Sequence, residues 1–155
     1  MICYNEYRYD NKNNLIIKIH HYNDKFYDCK YYYYDDKNNL IEFEYYKNDK
    51  LDSYDKYYYD NKNNKIKEEY YYHDVYNKCD KLNYIKYYDN KNNKIKEEYY
   101  DRNDKLNSYK KYYYDNEDNK IRKELYRNGI LYDCECYYYD DENNLIKQES
   151  YENDN

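Results

Sequence analysis

The chain has 155 residues, of which 27 are basic and 33 acidic, so its formal net charge is −6. This acidic balance argues against nucleic acid as a partner. Every stretch of basic residues also has acidic neighbours, so the sequence contains no purely basic stripe. Tyrosine occurs 34 times, whereas glycine occurs once and proline and tryptophan never. The residues present favour A/T-rich codons, so one reading of the tyrosine excess is codon bias in an AT-rich genome.

The dipeptide Tyr-Asp recurs six times, at intervals of 25, 25, 29, 26 and 25 residues. Its copies are Tyr9-Asp10, Tyr34-Asp35, Tyr59-Asp60, Tyr88-Asp89, Tyr114-Asp115 and Tyr139-Asp140. An isoleucine follows each of these tyrosines at the same distance, at Ile16, Ile41, Ile66, Ile95, Ile121 and Ile146. A period of this length that fills the chain is typical of repeat proteins. We therefore interpret residues 1–155 as a single array of six Tyr-Asp hairpin repeats.

Each repeat predicts two β-strands, which in the third copy are residues 51–59 and 65–71. Both segments are rich in Tyr or Ile and free of Gly and Pro, which favours strands. The cluster at residues 60–64 predicts a turn. Asn-Asp-Lys at residues 48–50, 23–25 and 103–105, or Asn128-Gly129 in the last repeat, predicts the hairpin turn to the next strand. The pattern indicates an all-β fold, an antiparallel β-hairpin meander of about twelve strands in a twisted, curved sheet.

The odd period constrains which side chains share a face of the sheet. An even Asn-rich loop and a three-residue Asn-Asp-Lys turn keep equivalent tyrosines on one side. This register predicts a buried Tyr/Ile face, with Lys65 and Tyr58 on a charged, wet face. We expect the repeat isoleucines to be buried with the repeat tyrosines, in particular Ile66, Ile95 and Ile121 with Tyr59, Tyr88 and Tyr114.

Turn geometry and the two departures from period 25 give local predictions. The three-residue turn requires a left-handed residue, which Asp49, Asp104 or Gly129 would supply. The 29-residue interval contains an insertion at residues 73–79, which predicts a longer loop. The 26-residue interval has one extra residue beside Asp101-Arg102, where we expect a β-bulge.

The pattern Tyr-Asp-x-x-x-Asn-Lys/Leu-Ile, followed by Tyr-x-x-Asn-Asp/Gly-Lys-Leu, resembles the YD repeats of bacterial Rhs-type and wall-associated proteins. The resemblance covers essentially the whole chain. It departs from the family at the turn, where asparagine, the next best left-handed residue, stands near the usual glycine. These positions are Asn14, Asn39, Asn64, Asn93, Asn119 and Asn144. A weaker resemblance is to MORN-type repeats, which share the hairpin unit and the Asn-Gly-Lys turn.

The resemblance implies a β-sheet repeat scaffold. In large Rhs proteins such repeats look like shells around a toxin, but this chain lacks the length to enclose cargo, so that role is not transferred. The related repeats suggest, as one alternative function, an antitoxin or immunity partner of a toxin.

No pattern in the sequence predicts an enzyme, a metal site or a cofactor. A single glycine excludes a Gly-x-Ser-x-Gly elbow and a phosphate-binding glycine loop. Cys134-x-Cys136 lacks the further ligands of a zinc site, and the Asp-x-Glu-x-Asn loops at 115–119 and 140–144 lack the glycine and distal glutamate of a calcium loop. An odd number of cysteines indicates reduced thiols and a cytoplasmic protein. No signal peptide is expected, and no apolar run approaches the ~18 residues of a membrane span.

One set of residues is a candidate binding site. The tyrosines that immediately precede the repeat tyrosine are expected to project from the charged face, at Tyr33, Tyr58, Tyr87, Tyr113 and Tyr138. Such a row favours a protein partner, because tyrosine packs its ring while its hydroxyl stays wet. The structural interpretation is a ladder, which the sequence favours over a ligand row, since cross-strand tyrosine pairs stabilise a sheet by themselves. The sequence thus predicts a non-catalytic scaffold or protein-binding surface, with a carbohydrate-binding module as the alternative function.

Overall fold

In a computed structural model, which describes residues 2–74 and 76–152, the chain is an all-β protein with twelve strands. Each strand pairs antiparallel with the next, so the order in the sheet is the order in the chain. The sheet is open, with β1 and β12 at its edges, and the predicted meander is confirmed. The strands are β1 Cys3–Tyr9, β2 Leu15–Tyr22, β3 Lys25–Tyr34, β4 Leu40–Lys47, β5 Lys50–Tyr59, β6 Lys65–Asp74, β7 Cys79–Tyr88, β8 Lys94–Tyr100, β9 Leu106–Tyr114, β10 Lys120–Arg127, β11 Ile130–Tyr139 and β12 Leu145–Glu152.

The short turns between repeats have two residues, both left-handed. Asn48 and Asp49 have φ of 51° and 60°, and in the last repeat Asn128 and Gly129 have φ of 50° and 80°. Two successive left-handed residues give the hairpin turn whose twist matches that of the strands. The left-handed conformation expected at Asp49 and Gly129 is confirmed. The three-residue length is wrong, because Lys50 already pairs with Lys47.

The Asn-rich loops have five residues, and the aspartate of the Tyr-Asp pair holds each one closed. Oδ1 of Asp60 accepts the backbone N–H groups of Lys62 (2.8 Å) and Asn64 (2.9 Å). Its Oδ2 accepts the Asn64 side-chain amide at 3.0 Å. The left-handed residue is Asn63, with φ of 65°. The sequence analysis therefore placed the glycine-like position one residue too late, since Asn64 binds the carboxylate instead.

Every one of the eleven strand pairs contains one register shift. At each Asn-rich loop the repeat isoleucine is the extra residue: Tyr58 pairs with Lys67 and Tyr59 with Lys65, which leaves Ile66 without a partner. The five loop residues and this extra residue together give an even number of residues, which the odd repeat period requires. The bulge therefore keeps equivalent tyrosines on one face, where the sequence analysis expected an even loop.

The prediction that the repeat isoleucines are buried is wrong. Ile66 and Ile95 are each 40% exposed and Ile121 is 39% exposed. Each stands at a bulge, outside the regular ladder, and a single-layer sheet offers no second layer to cover it. Among the described residues the buried apolar side chains are Cys29, Ile85 and Cys134, and the buried polar ones are Ser53, Glu68, Glu69, Glu97, Glu98 and Glu124.

The two faces of the sheet are named here after two neighbouring residues of β5. On the Tyr58 face, Lys56 and Tyr58 lie opposite Glu69 and Lys67, as expected. On the Tyr57 face, Tyr57 lies opposite Glu68. The prediction that Lys65 lies on the Tyr58 face is wrong, because its Nζ lies 3.1 Å from Oε2 of Glu68. Lys65 therefore belongs to the Tyr57 face. Buried glutamates lie on both faces, so neither is the apolar face that the sequence predicted.

The two departures from the 25-residue period are local, as expected, but differ in detail. The insertion at 73–79 lengthens the ladder, with Asp74 opposite Cys79, and residue 75 of the predicted loop lies outside the described residues. At the second departure, Asp101 closes a five-residue loop by accepting the N–H groups of Asn103 (2.8 Å) and Lys105 (3.1 Å). The 103–105 segment is therefore part of a loop, and the bulge lies at Asn107 instead of residues 101–102.

Candidate functional site

The five candidate tyrosines form a row across the Tyr58 face. They lie near the ends of β3, β5, β7, β9 and β11, so neighbouring rings are two strands apart, roughly 10 Å. Four of the rings, those of Tyr33, Tyr58, Tyr113 and Tyr138, are exposed by 38–43%, while Tyr87 is half-buried. Because equivalent strands are equally spaced in the sheet, the rings of the row are regularly spaced.

Each hydroxyl in the row donates a hydrogen bond to a glutamate on the following strand. The bonds are Tyr33 to Glu44 at 2.9 Å, Tyr58 to Glu69 at 2.7 Å, Tyr87 to Glu98 at 2.9 Å, Tyr113 to Glu124 at 2.7 Å and Tyr138 to Glu149 at 2.8 Å. Because the same tyrosine–glutamate hydrogen bond occurs in five repeats, it is a regular structural feature of this sheet. The structural ladder considered from the sequence is therefore present, but it is built from tyrosine–glutamate pairs.

Each of these glutamates is the centre of a larger cluster. Oε2 of Glu98 accepts the hydroxyls of Tyr87 and Tyr100, each at 2.9 Å, and Oε1 lies 2.5 Å from Nζ of Lys96. Glu69 and Glu124 have equivalent partners in their own repeats. Burial alone would raise the pKa of Glu98, but the bonds from the lysine and the two tyrosines outweigh it and lower that pKa. The carboxylate is therefore ionised, and charge-assisted bonds hold the rings.

Burial and the same bonds raise the pKa of the hydroxyls in the row. Burial, together with the hydrogen bond to Glu69, raises the pKa of Tyr58 to about 12. At Tyr113 the bond to Glu124 is the larger cause and burial the second, and the pKa is again about 12. These phenols are neutral donors near pH 7, so they present aromatic surface and no nucleophile.

A cation lies over most rings of the row. Nζ of Lys67 is 4.8 Å from the centroid of the Tyr58 ring, and Nζ of Lys147 is 5.2 Å from that of Tyr138. The rings of Tyr87 and Tyr113 have Lys96 and Arg122 at 5.7 Å. Tyr33 differs, because Glu42 stands opposite it. These cation–π contacts place a positive charge over each of the four rings.

No family model and no curated protein matches the sequence. Solved structures match its fold, among them two of TcdB2-TccC3. The crystal structure of TcdB2-TccC3 superposes with a TM-score of 0.66 at 14% identity over 93% of this chain and 8% of that one. The structure of TcdB2-TccC3 without its hypervariable C-terminal region gives 0.64 at 14% identity over 92% and 7%. At this identity the likeness shows the fold alone. The fold is YD-repeat-like. The chain spans less than a tenth of the length of either neighbour.

The structure also explains the tyrosine of the YD pair, whose role the sequence analysis missed. The Tyr59 hydroxyl donates to the backbone carbonyl of Leu40 at 2.9 Å, which belongs to the preceding repeat. Tyr34, Tyr114 and Tyr139 make the equivalent bond. In Tyr-Asp, the tyrosine thus binds the previous repeat while the aspartate closes the loop.

The glutamates that hold the row were also missed, although a sequence signal for them exists. A glutamate stands eleven positions after each row tyrosine. Equal spacing between a recurring donor and a recurring acceptor would have identified the pairs.

The remaining chemistry of the site is limited. Within residues 2–74 and 76–152, no group of three or more His, Cys, Asp or Glu side chains is placed to hold a metal ion. The five cysteines are free thiols. The same part of the chain contains no helix long and apolar enough to cross a membrane.

Proposed function

We propose that this YD-repeat-like sheet is a non-catalytic scaffold of the cytoplasm and that its tyrosine row binds a protein partner. The observation that carries the proposal is the set of five regularly spaced rings whose hydroxyls already bind glutamates. The free thiols and the odd number of cysteines support a reducing compartment.

The row is pre-organised for contact with a protein. Because each hydroxyl is held by a carboxylate, a ring loses little conformational freedom when a partner covers it. The neighbouring charges are already paired, as Lys96 is with Glu98 at 2.5 Å. The surface therefore offers aromatic area beside neutralised charges, the composition favoured at protein interfaces, where tyrosine and arginine are enriched.

Carbohydrate binding is the second candidate function, and the exposed rings are the observation that favours it. A sugar would stack on a ring face, but cations already lie over the rings of Tyr58 and Tyr138. This geometry leads us to prefer a protein partner. A glycan array probed with the intact chain tests the alternative, which a saccharide signal lost in the Tyr58→Ala/Tyr113→Ala variant would support.

The test of the main proposal is capture of a partner from the source organism by the immobilised chain. The Tyr58→Ala/Tyr113→Ala variant is compared with Tyr27→Ala/Tyr132→Ala, which removes two exposed rings outside the row. Circular dichroism first establishes that both variants are folded. We expect one protein to be retained by the wild type and the control and lost from the row variant. Equal retention by the row variant would contradict the binding surface, and reproducible enzymatic turnover by the pure chain would contradict the non-catalytic role.

A further inference from the structure

A cleft on the Tyr57 face, on the side of the sheet opposite the tyrosine row, spans strands β1 to β5. Its volume is about 340 Å³, at the lower end of the range for small-molecule sites. Two lysines, a histidine, two aromatic rings and a serine line most of it: Lys18, Lys30, His20, Phe43, Tyr45 and Ser53. Cationic groups therefore face aromatic walls in one cavity.

Lys18 and Lys30 lie directly opposite each other on β2 and β3. Like charges in this position destabilise a sheet. Within residues 2–74 and 76–152, neither ammonium group forms an ion pair with a carboxylate; instead, Nζ of Lys18 lies 5.6 Å from the Tyr7 ring centroid and Nζ of Lys30 lies 5.6 Å from that of Tyr45. The pair thus has aromatic neighbours and an unbalanced charge.

The fifth and sixth repeats show how the fold balances the charges at the equivalent pair of positions. Lys123 occupies the place of Lys18, two residues after the repeat isoleucine, and Glu135 occupies the place of Lys30, four residues before the repeat tyrosine. Lys123 and Glu135 lie directly opposite each other and form an ion pair. Lys30, in the second repeat, is therefore a second cation at the place where the sixth repeat carries the carboxylate, and the Lys123–Glu135 ion pair has no counterpart between Lys18 and Lys30.

We propose that the cleft binds a small phosphate monoester, whose phosphate oxygens lie between Lys18 and Lys30 and whose organic group packs on Phe43 and Tyr45. The phosphate takes the place that the Glu135 carboxylate has in the sixth repeat. Two ammonium groups match its charge of about −1.5 to −2 near neutral pH. Ammonium groups are common phosphate ligands.

The other polar groups of the cleft are compatible with an anion. Asp28 is the one acid among the lining residues, and His20 faces it with Nδ1 3.3 Å from Oδ2. The Ser53 hydroxyl, on β5, can donate a further hydrogen bond to a phosphate oxygen. The cleft therefore offers several donors and a single acid.

The test is calorimetric titration of the full chain with phenyl phosphate, inorganic phosphate and benzoate at constant ionic strength. Lys30→Gln is compared with Lys110→Gln, which removes the lysine at the equivalent position of the fifth repeat. We expect phenyl phosphate to bind the wild type and Lys110→Gln with equal affinity, and Lys30→Gln at least about tenfold more weakly, since bonds to charged groups are the strong ones. Inorganic phosphate should bind more weakly than phenyl phosphate, because it lacks the ring that contacts Phe43 and Tyr45.

A third variant reproduces the Lys123–Glu135 pair in the cleft. Lys30→Glu should bind no phenyl phosphate and should melt at a higher temperature than the wild type, because it forms the Lys123–Glu135 type of pair with Lys18. The proposal is overturned if the wild type does not bind phenyl phosphate, or if Lys30→Gln and Lys110→Gln weaken binding equally. Benzoate binding as tight as that of phenyl phosphate would replace the phosphate assignment by a carboxylate. Equal affinity for inorganic and phenyl phosphate would remove the aromatic contact.

Discussion

The hydroxyl of Tyr58 donates to Oε2 of Glu69, 2.7 Å away across one hairpin, and the same pair recurs along the sheet. Glu69 is buried although it is charged, because Lys67 and Tyr71 are its further partners. A buried ionised group is tolerated only when its partners satisfy it. A thin sheet without a second layer thus obtains order from polar clusters where a globular domain would use apolar packing.

The clusters predict a loss of stability in acid. The pKa of both Glu69 and Glu98 is lowered in the folded state, since the hydrogen bonds outweigh the effect of burial. A lowered pKa contributes stability that is present above the unfolded value of about 4.3 and is lost as the pH falls through the folded value. Urea unfolding should therefore show a plateau near pH 6 and a decline below pH 4. A stability that stays constant down to pH 2.5 would contradict the ionised clusters.

Asp55 on the Tyr57 face predicts the opposite sign. Burial, and then the nearby charge of Glu68, raise the pKa of Asp55 to about 6. Because the unfolded value is about 3.9, ionising this side chain costs the folded state stability as the pH rises from about 4 to 6. Asp55→Asn should be more stable than the wild type at pH 7.5, and the gain should shrink at pH 4.5. A gain of equal size at both pH values would show that charge is not its cause.

The two-residue turns predict a matched pair of substitutions. At Gly129, φ is 80° and no atom lies within 4 Å of the place of a Cβ, so Gly129→Ala costs only backbone strain, about 1 kcal/mol. Asp49 occupies the same turn position with φ of 60°, and Asp49→Gly should gain a similar amount. Chemical denaturation of both variants is the measurement. Destabilisation by Asp49→Gly would mean that its side chain contributes more than the strain it imposes.

Two isoleucines of one hairpin distinguish buried from bulge positions. Ile85 is 7% exposed, and Ile85→Ala should cost about 2–5 kcal/mol. Ile95 stands at a bulge and is 40% exposed, so Ile95→Ala should cost less than about 1.5 kcal/mol. Urea unfolding of the two variants is the measurement. Both variants lose the same side-chain atoms, so only the position differs. Equal costs would restore the buried isoleucine face that the sequence predicted.

The fold was predictable because its signals are local. The Tyr-Asp period and the turn residues give the number, order and pairing of the strands, and Asn128-Gly129 alone identifies one hairpin. The register of the Asn-rich loops was not predictable in detail, because a bulge at Ile66 supplies a residue that loop counting assigns to the loop.

Of the residues in the site, the sequence analysis predicted only the tyrosines. Tyr58 and its equivalents follow from alternation along a strand, so their face could be inferred. The role of Glu69 was missed, because hydrophobic patterning assigns a glutamate to solvent by default. The constant spacing between the tyrosine and the glutamate was the sequence signal for the pair. Cross-strand distance, which decides that a tyrosine hydroxyl reaches a carboxylate, depends on the register that the bulges set.

The most direct test of the account is a double-mutant cycle between Tyr58→Phe and Glu69→Met, measured by urea unfolding at pH 7. Each change removes one partner of the bond, and the cycle cancels the loss of the Lys67 and Tyr71 contacts. If carboxylates hold the tyrosine row, the two residues should be coupled by about 1–2 kcal/mol, the range for a bond to a charged group. Additive effects, within about 0.3 kcal/mol, would contradict the claim that these glutamates order the row.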